Sequence, residues 1–258
     1  MAEFDIESGS NPRIKRLVGL RERSARDRES RFLIEGTRDI DRAIAVGLLP
    51  REIYYDPTRF DTPPFRAEVV LTVDTGALDR ASYRGRSQGV IAVFDQFSTS
   101  LDGLELGPSP LLLVVEAMEK PGNLGAILRT ADAVGADAVI AADPATDPFN
   151  PNVIRASTGA LFTVPLAVSD LETVIAWLSD RKIRIITADP SAPVAFWETD
   201  LTGSCALLVG SEHRGLSAGA LSTADVKGSI PMQGLVDSLN ASVSAALLAY
   251  EALRQRRS

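Results

Sequence analysis

The sequence predicts an α/β protein made of two domains, and three observations support this. The chain has 258 residues, enough for two modest domains that each bury a core. Continuous apolar runs at 111–115 and 206–209 are typical of strands buried on both faces of a parallel sheet. The composition, with 45% hydrophobic and 24% charged residues, is that of a globular protein and excludes wholesale disorder.

The first 97 residues alternate between helix and strand patterns and are predicted to form a small α/β domain. Asn11 and Pro12 can start a helix that continues to about Ala25. The pattern of apolar and turn-forming residues predicts strands at 31–35, 52–55, 69–73 and 90–94, and helices at 37–46 and 77–84.

Residues 98–109 lose this periodicity and are rich in turn formers, so we place a domain linker there. The second predicted domain is 110–258. Its predicted strands are 111–115, 138–141, 183–188 and 206–209, and its predicted helices are 123–134, 171–179 and 238–254. This alternation predicts a parallel sheet flanked by helices.

The charge of the chain is unevenly distributed. The formal net charge is −7, which argues against a protein that coats nucleic acid indiscriminately. Between Asn11 and Arg42, however, ten basic residues stand against six acidic ones, about +4 in one short segment. Such a segment is compatible with an ordinary solvated helix surface and with a surface that binds phosphates.

Single copies of cysteine and histidine limit the chemistry. Cys205 cannot form an internal disulfide, and together with His213 it supplies too few ligands for a zinc site, so we expect no metal. We expect a solvent-facing or structural role for His213. The acidic start and the lack of a bilayer-length apolar run predict a cytoplasmic protein.

Three segments of the second domain carry candidate functional residues, each after a predicted strand. In 116–132, Asn123 is a suitable helix N-cap. An arginine in a helix is usually a surface residue, whereas the apolar neighbours of Arg129 point to a guanidinium held in a site, so both interpretations stay open. In 207–217, Gly210 lets the backbone approach a ligand closely, although an ordinary strand-to-helix turn explains the pattern equally well. In 230–246, a helix rich in small residues permits very close packing.

Together these segments resemble the three motifs of the SpoU, or TrmH, family of RNA 2′-O-ribose methyltransferases. The resemblance covers 111–255, and the preceding segment resembles the ribosomal-protein-like α/β domain with which many members bind substrate. It implies a SPOUT fold with a deep trefoil knot, a homodimer packed through the knotted domain, and S-adenosylmethionine (SAM) bound in a pocket formed by the three motif loops.

The resemblance also implies roles for individual residues. The implied catalytic residues are Arg129, Asn123, Glu212, Ser238 and Asn240. The implied cofactor-binding residues are Gly210, Ser211, Ile230, Met232, Leu239 and Ala241. Arg129 either accepts the proton of the ribose hydroxyl or clamps the adjacent phosphate while another group accepts it, since arginine is a difficult base.

The two-domain layout is similar to that of family members that modify 23S ribosomal RNA, so we expect this substrate. The predicted RNA-binding residues are Arg13, Lys15, Arg16, Arg21 and Arg23. A tRNA methyltransferase and a catalytically silent RNA-binding protein are the alternatives. A nucleotide-dependent oxidoreductase is disfavoured, because no Gly-x-Gly-x-x-Gly loop follows the first strand of the second domain.

Overall fold

The computed structural model describes residues 4–211 and 214–257. Ten strands form two sheets: β1 (Arg31–Glu35), β2 (Glu52–Tyr55), β3 (Val69–Thr72), β4 (Val90–Asp95), β5 (Leu111–Glu116), β6 (Ala138–Ala142), β7 (Leu166–Ser169), β8 (Arg184–Ala188), β9 (Cys205–Val209) and β10 (Val226–Gly228). The α-helices are α1 (Pro12–Gly19), α2 (Arg23–Glu29), α3 (Thr37–Ala45), α4 (Thr75–Ala81), α5 (Pro121–Val134), α6 (Pro151–Ser157), α7 (Ala160–Thr163), α8 (Leu171–Asp180), α9 (Ala218–Ser222) and α10 (Ala241–Arg256).

The described residues divide into two compact units. Unit 1 contains the residues up to Phe97 together with Asp147–Phe162, and unit 2 contains Ser98–Thr146 together with the residues from Thr163 onward. No sequence pattern indicates that Asp147–Phe162 groups with the N-terminal residues. The boundaries drawn from the sequence stay a prediction.

Unit 1 is built on a four-stranded sheet in the order β1-β4-β2-β3. Strand β4 pairs antiparallel with both β1 and β2, whereas β2 and β3 are parallel. Ile14, Leu17 and Leu78 pack on one face of the sheet as part of its core. Within the same unit, the ring of Phe149 lies 5.1 Å from that of Phe32, which helps to hold the segment 147–162 in place.

The single N-terminal helix expected from Asn11 to about Ala25 is wrong in its extent, because the chain forms two helices there. Helix α1 ends at Gly19 and α2 begins at Arg23. Glycine is a poor helix former, and the buried Arg26 guanidinium donates hydrogen bonds to the carbonyl oxygens of Leu20 and Arg21 in the break. The break is thereby stabilised by a side chain from the following helix.

Unit 2 contains a six-stranded sheet in the order β10-β8-β9-β5-β6-β7, and every strand pair in it is parallel. The predicted α/β class and parallel sheet are confirmed. All residues of the two central strands, β5 and β9, are buried, as their continuous apolar sequences predict. The edge strands β7 and β10 are absent from the predicted elements, since four and three residues leave little pattern to detect. The trefoil knot stays a prediction.

Helix α10 lies against α5 and β9. Its buried face consists mainly of alanines, including Ala241, Ala245 and Ala249, which allow the neighbouring backbone to approach closely. The small residues of this helix therefore serve close packing, as the sequence indicates. In the described part of the chain, no helix combines the length and apolar character needed to cross a bilayer.

Candidate functional site

A cavity of ≈ 360 Å³ opens in unit 2 where strands β8, β9 and β10 end. Parallel strands bring their carboxyl ends to the same edge of the sheet, so loops distant in sequence meet there. Residues from three loops line the cavity, at 188–190, at 209–211 with 214–216, and at 230–241. Its volume falls within the range of about 300–1,000 Å³ that is typical of small-molecule sites.

The second motif forms a tight loop because two glycines permit it. Ser211 and Gly215 face each other as a backbone bridge, with the Gly215 amide donating to the Ser211 carbonyl at 2.9 Å. A side chain at Gly210 would place its Cβ 2.1 Å from the carbonyl carbon of Gly215. Only glycine at position 210 allows this close approach, and both Gly210 and Gly215 line the cavity.

Glu116 fixes the end of this loop. Its carboxylate is buried at the carboxyl end of β5, with 5% of the residue exposed, and its Oε2 accepts a 2.9 Å hydrogen bond from the Ser217 amide. The Ser217 hydroxyl in turn caps α9 by accepting from the Ala220 amide. Glu116 is absent from the residues predicted to be functional, although a carboxylate at the end of an otherwise apolar strand is a detectable signal.

The first and third motifs are joined by a hydrogen bond between two asparagines. Asn240 caps α10 through its Oδ1, which accepts from the amide and the hydroxyl of Ser242 at 2.9 and 2.6 Å. Its Nδ2 donates to Oδ1 of Asn123 at 3.2 Å. Asn123 lies in the first turn of α5 rather than at its N-cap, so the predicted capping role is wrong. The helix begins earlier, because Pro121 is well suited to the first helical position.

Arg129 lies on α5 with an exposed side chain, and it is not among the described residues that line the cavity. Its apolar neighbours Ile127 and Leu128 are buried, which leaves the guanidinium on the solvent side of the helix. The expectation that its head is held in a site stays a prediction. An exposed guanidinium at this position can still contact a large substrate.

The six predicted cofactor-binding residues all line the cavity, and so does Ser238. The apolar side chains among them, Ile230, Met232 and Leu239, provide a slot suited to a flat aromatic ring. Glu212 and His213 lie outside the described residues. The roles of these residues in binding and catalysis stay a prediction.

Asp189 is a cavity residue that the sequence analysis misses. It follows β8 directly, and its Oδ1 accepts hydrogen bonds from the hydroxyl and the amide of Ser191 at 2.7 and 2.9 Å. These two bonds lower the pKa of Asp189 below its ordinary value, so the carboxylate is charged at neutral pH. Asp237 and Arg214 also line the cavity. The site thus offers two carboxylates and one guanidinium beside an apolar slot.

The predicted RNA-binding residues of unit 1 fall into two groups. Arg16 donates to Glu29 and Glu52 at 2.6 and 2.8 Å, and Arg21 donates to the Ser82 carbonyl at 2.5 Å, so both guanidinium groups have intramolecular partners. Arg13, Lys15 and Arg23 have exposed side chains, although Arg13 lies 3.9 Å from Glu52 and Arg23 lies 3.4 Å from Asp27. The second group is better placed to meet phosphates.

Among the described residues, no cluster of three or more histidine, cysteine, aspartate or glutamate side chains has the arrangement of a metal site. The lining of the cavity combines carboxylates and a guanidinium with apolar side chains. A carboxylate suits a positive charge, and the apolar slot suits a ring.

Comparison with known proteins identifies relatives of both units. Residues 110–250 match the family model of the SpoU rRNA methylase family, and residues 11–92 match that of an MRM3-like substrate binding domain. A 23S rRNA (uridine(2479)-2′-O)-methyltransferase of Streptomyces viridochromogenes is 33% identical over 91% of this chain and 86% of its own length. The 23S rRNA (guanosine-2′-O-)-methyltransferase RlmB of Ralstonia nicotianae is 37% identical over 80% of this chain and 88% of its own.

A solved structure extends this similarity to three dimensions. The SpoU methyltransferase AviRb of Streptomyces viridochromogenes, in complex with the cofactor AdoMet, has a TM-score of 0.89 and 30% identity to this chain. The match covers 96% of this chain and 99% of that one. The similarity therefore extends over both units of the fold.

Proposed function

This chain belongs to the SpoU rRNA methylase family, and we propose that it transfers a methyl group from SAM to a ribose 2′-hydroxyl of 23S ribosomal RNA. The predicted family membership is thereby confirmed. The observation that carries the proposal is the cavity at the ends of β8, β9 and β10, because loops of the second and third motifs converge on it.

The residues of the cavity fit SAM. Its adenine ring suits the apolar slot of Ile230, Met232 and Leu239, and Gly210, which has no side chain, lets a ligand approach the backbone in the same cavity. The cofactor carries a sulfonium and an ammonium group, and the charged carboxylate of Asp189 is complementary to them. When bound, SAM supplies a methyl group that is already activated for transfer.

The protein must then align a ribose hydroxyl, which is a poor nucleophile, and assist the loss of its proton. In our proposal, Arg129 binds the phosphate next to the target ribose with its planar guanidinium, because its side chain is exposed and arginine is protonated in proteins. The hydrogen bond between Asn240 and Asn123 ties the start of α10 to the helix that carries Arg129. This link makes the two asparagines positioning residues for the arginine.

We further propose that two copies of the chain associate through α10. Val243, Leu247 and Tyr250 follow the spacing i, i+4 and i+7 and form one apolar stripe, and they are 46%, 41% and 52% exposed. The opposite face of the helix is already buried in unit 2. A second copy offers an identical stripe, which a symmetric dimer would bury.

We also propose a cytoplasmic location, because ribosomal RNA lies there in bacteria such as those of the relatives.

The proposed activity is tested with the purified protein and SAM labelled in its methyl group. The RNA substrates are transcribed 23S rRNA and, separately, isolated total tRNA. We expect label in 23S rRNA at one nucleotide. The phosphodiester bond on the 3′ side of that nucleotide should become resistant to alkaline hydrolysis, because its 2′-hydroxyl is methylated. Arg129→Ala should lower transfer by about 100-fold or more while SAM affinity stays near that of the wild type. Arg181→Ala, which alters another exposed arginine of unit 2, is the matched control. Labelling of tRNA alone, or an unchanged rate for Arg129→Ala, would overturn the assignment.

A further inference from the structure

A second cavity lies within unit 1, far along the chain from the motif loops, and it is bordered by arginines. Its volume is ≈ 260 Å³. Four arginines contribute to its lining: Arg38, Arg84, Arg86 and Arg155. All four have exposed side chains, whereas Leu33, Gly36 and Ile154 form a buried floor. The cavity thus has a cationic rim above an apolar floor, although the formal net charge of the chain is −7.

The two carboxylates of this cavity are already engaged. Glu35 accepts hydrogen bonds from the Ser82 hydroxyl and the Tyr83 amide, each at 2.7 Å. Asp39 pairs with Arg38 at 3.0 Å. Arg84 and Arg86, in contrast, form no ion pair with any described residue and remain available to an anionic ligand.

An aromatic ring is held in place at the same cavity. Tyr83 is 39% exposed, and its hydroxyl accepts a 2.8 Å hydrogen bond from Nδ2 of Asn152 on α6. Asn152 also accepts a 3.0 Å hydrogen bond from Arg155 through its Oδ1. Tyr83, Asn152 and Arg155 thus form a connected set that orients an exposed ring beside a guanidinium.

A side-chain amide completes the lining. A Cβ at Gly36 would lie 2.6 Å from Oε1 of Gln88, so the absence of a side chain at Gly36, whose φ is +85°, makes room for this amide. Both its oxygen and its nitrogen can pair with the polar edge of a base. The cavity therefore combines the groups that bind a phosphate, the face of a base and the edge of a base.

We propose that this cavity binds one unpaired nucleotide of the RNA substrate, an inference that rests on the proposed function. The base stacks on Tyr83 above the apolar floor, and the flanking phosphates meet Arg84 and Arg86. Single-stranded nucleotides are commonly bound in this way, by stacking on aromatic rings combined with cationic contacts to the backbone. The volume lies just below the range of about 300–1,000 Å³ for small-molecule sites, which suits one base rather than several.

The proposal adds a determinant of RNA affinity to the five RNA-binding residues predicted from the sequence, which lie between Arg13 and Arg23. Arginines from α3, from the turn after α4 and from α6 share one cavity, although they lie up to 117 positions apart in sequence. Such a combination has no local signature. It also gives the substrate-binding unit a way to select a structural feature of folded RNA in addition to its overall negative charge.

The first test compares full-length variants for binding to transcribed 23S rRNA over a series of salt concentrations. Arg84→Ala/Arg86→Ala should weaken binding at least 10-fold and make the slope of log affinity against log salt less steep by about 1.4 to 1.8, since each phosphate contact contributes about 0.7 to 0.9. Arg28→Ala/Arg66→Ala, which removes two exposed arginines of unit 1 away from the cavity, is the matched control. Equal losses in both double variants would overturn the proposal, because they would indicate charge alone.

The second test separates stacking from charge. Tyr83→Ala should weaken RNA binding roughly 5- to 100-fold, whereas Tyr83→Phe should retain most of the affinity because it keeps the ring. In isothermal titration without RNA, both Tyr83 variants should bind SAM with wild-type affinity, because Tyr83 does not line the cavity of unit 2. Wild-type affinity for RNA in Tyr83→Ala would contradict the proposal. Failure of the proposed function is distinguishable, since the wild type would then methylate no RNA in the methyl-transfer assay.

Discussion

Arg26 and Asp147 form an ion pair inside unit 1, with Nη2 of the arginine 2.5 Å from Oδ2 of the aspartate. Arg26 is 1% exposed, and its other terminal nitrogen donates to the carbonyl oxygens of Leu20 and Arg21. One side chain therefore stabilises both the break between α1 and α2 and the start of the segment 147–162. The two residues are 121 positions apart in sequence.

We expect Asp147→Ala to destabilise unit 1 by about 3–5 kcal/mol, because it leaves a buried guanidinium without its counter-charge. Asp27→Ala, which removes an exposed carboxylate from an i,i+4 pair, should cost less than about 1 kcal/mol. Hydrogen exchange measured on peptides of the segment 147–157 reports the difference directly. Equal protection in the two variants would mean that the ion pair contributes little to holding this segment.

Some features of the fold and of the site can be predicted directly from the sequence. Runs such as Leu111–Glu116 predict buried parallel strands because burial on two faces requires apolar side chains at every position. The meeting of the loops at Gly210 and Ile230 follows from that sheet, since parallel strands end at one edge.

Other features depend on partners that no local pattern specifies. The break after Gly19 depends on a guanidinium from the next helix, and the grouping of 147–162 with unit 1 depends on contacts with Phe32 and Arg26. The cavity position of Asp189 could not be predicted from the sequence for a related reason. Its position in the cavity is determined by where β8 ends relative to β9, which the sequence of β8 alone does not give.

Gly210→Ala should abolish SAM binding in isothermal titration, because the added Cβ would collide with the backbone at Gly215 and force the second motif loop open. Gly103→Ala is a suitable control, since a Cβ there meets no atom within 4 Å and its φ is not positive. The control should bind SAM like the wild type. Normal affinity in Gly210→Ala would show that the loop does not form the wall of the cofactor site.

Glu116 should act as a positioning residue for the same loop. Glu116→Ala leaves the Ser217 amide without its acceptor, and we expect SAM affinity to fall roughly 10- to 100-fold, the usual worth of a hydrogen bond to a charged group. Glu116→Gln keeps an acceptor oxygen and should restore most of the affinity. A glutamine variant as weak as the alanine variant would indicate that the charge, rather than the hydrogen bond, is required.

The apolar stripe of α10 predicts a dimer that a single charge disrupts. We expect Leu247→Glu to shift the protein from dimer to monomer in sedimentation velocity, because burying an unpaired carboxylate in an apolar interface is costly. Leu49→Glu, at an exposed leucine of unit 1, introduces the same charge and should leave the mass unchanged. A wild-type protein that sediments as a monomer at micromolar concentration would refute the proposed association.

The charge of Asp189 should matter for binding the cationic cofactor. Ser191 donates two hydrogen bonds that lower the pKa of Asp189, so the folded protein favours the carboxylate more than the unfolded chain does. The corresponding stabilisation is complete above the ordinary pKa near 3.8 and is lost as the pH falls through the lower value of the folded state. Protonation of Asp189 should therefore contribute no pH dependence to SAM affinity between about pH 5 and 8.

Asp189→Asn should weaken SAM binding by roughly 10-fold, with a smaller difference at high salt because the attraction is partly screened. Asp180→Asn, at an exposed carboxylate at the end of α8, provides a control with the same change of net charge. Titration calorimetry at two salt concentrations measures both effects. If the two variants bound SAM equally well, the carboxylate at the end of β8 would lie too far from the sulfonium and ammonium groups to contribute.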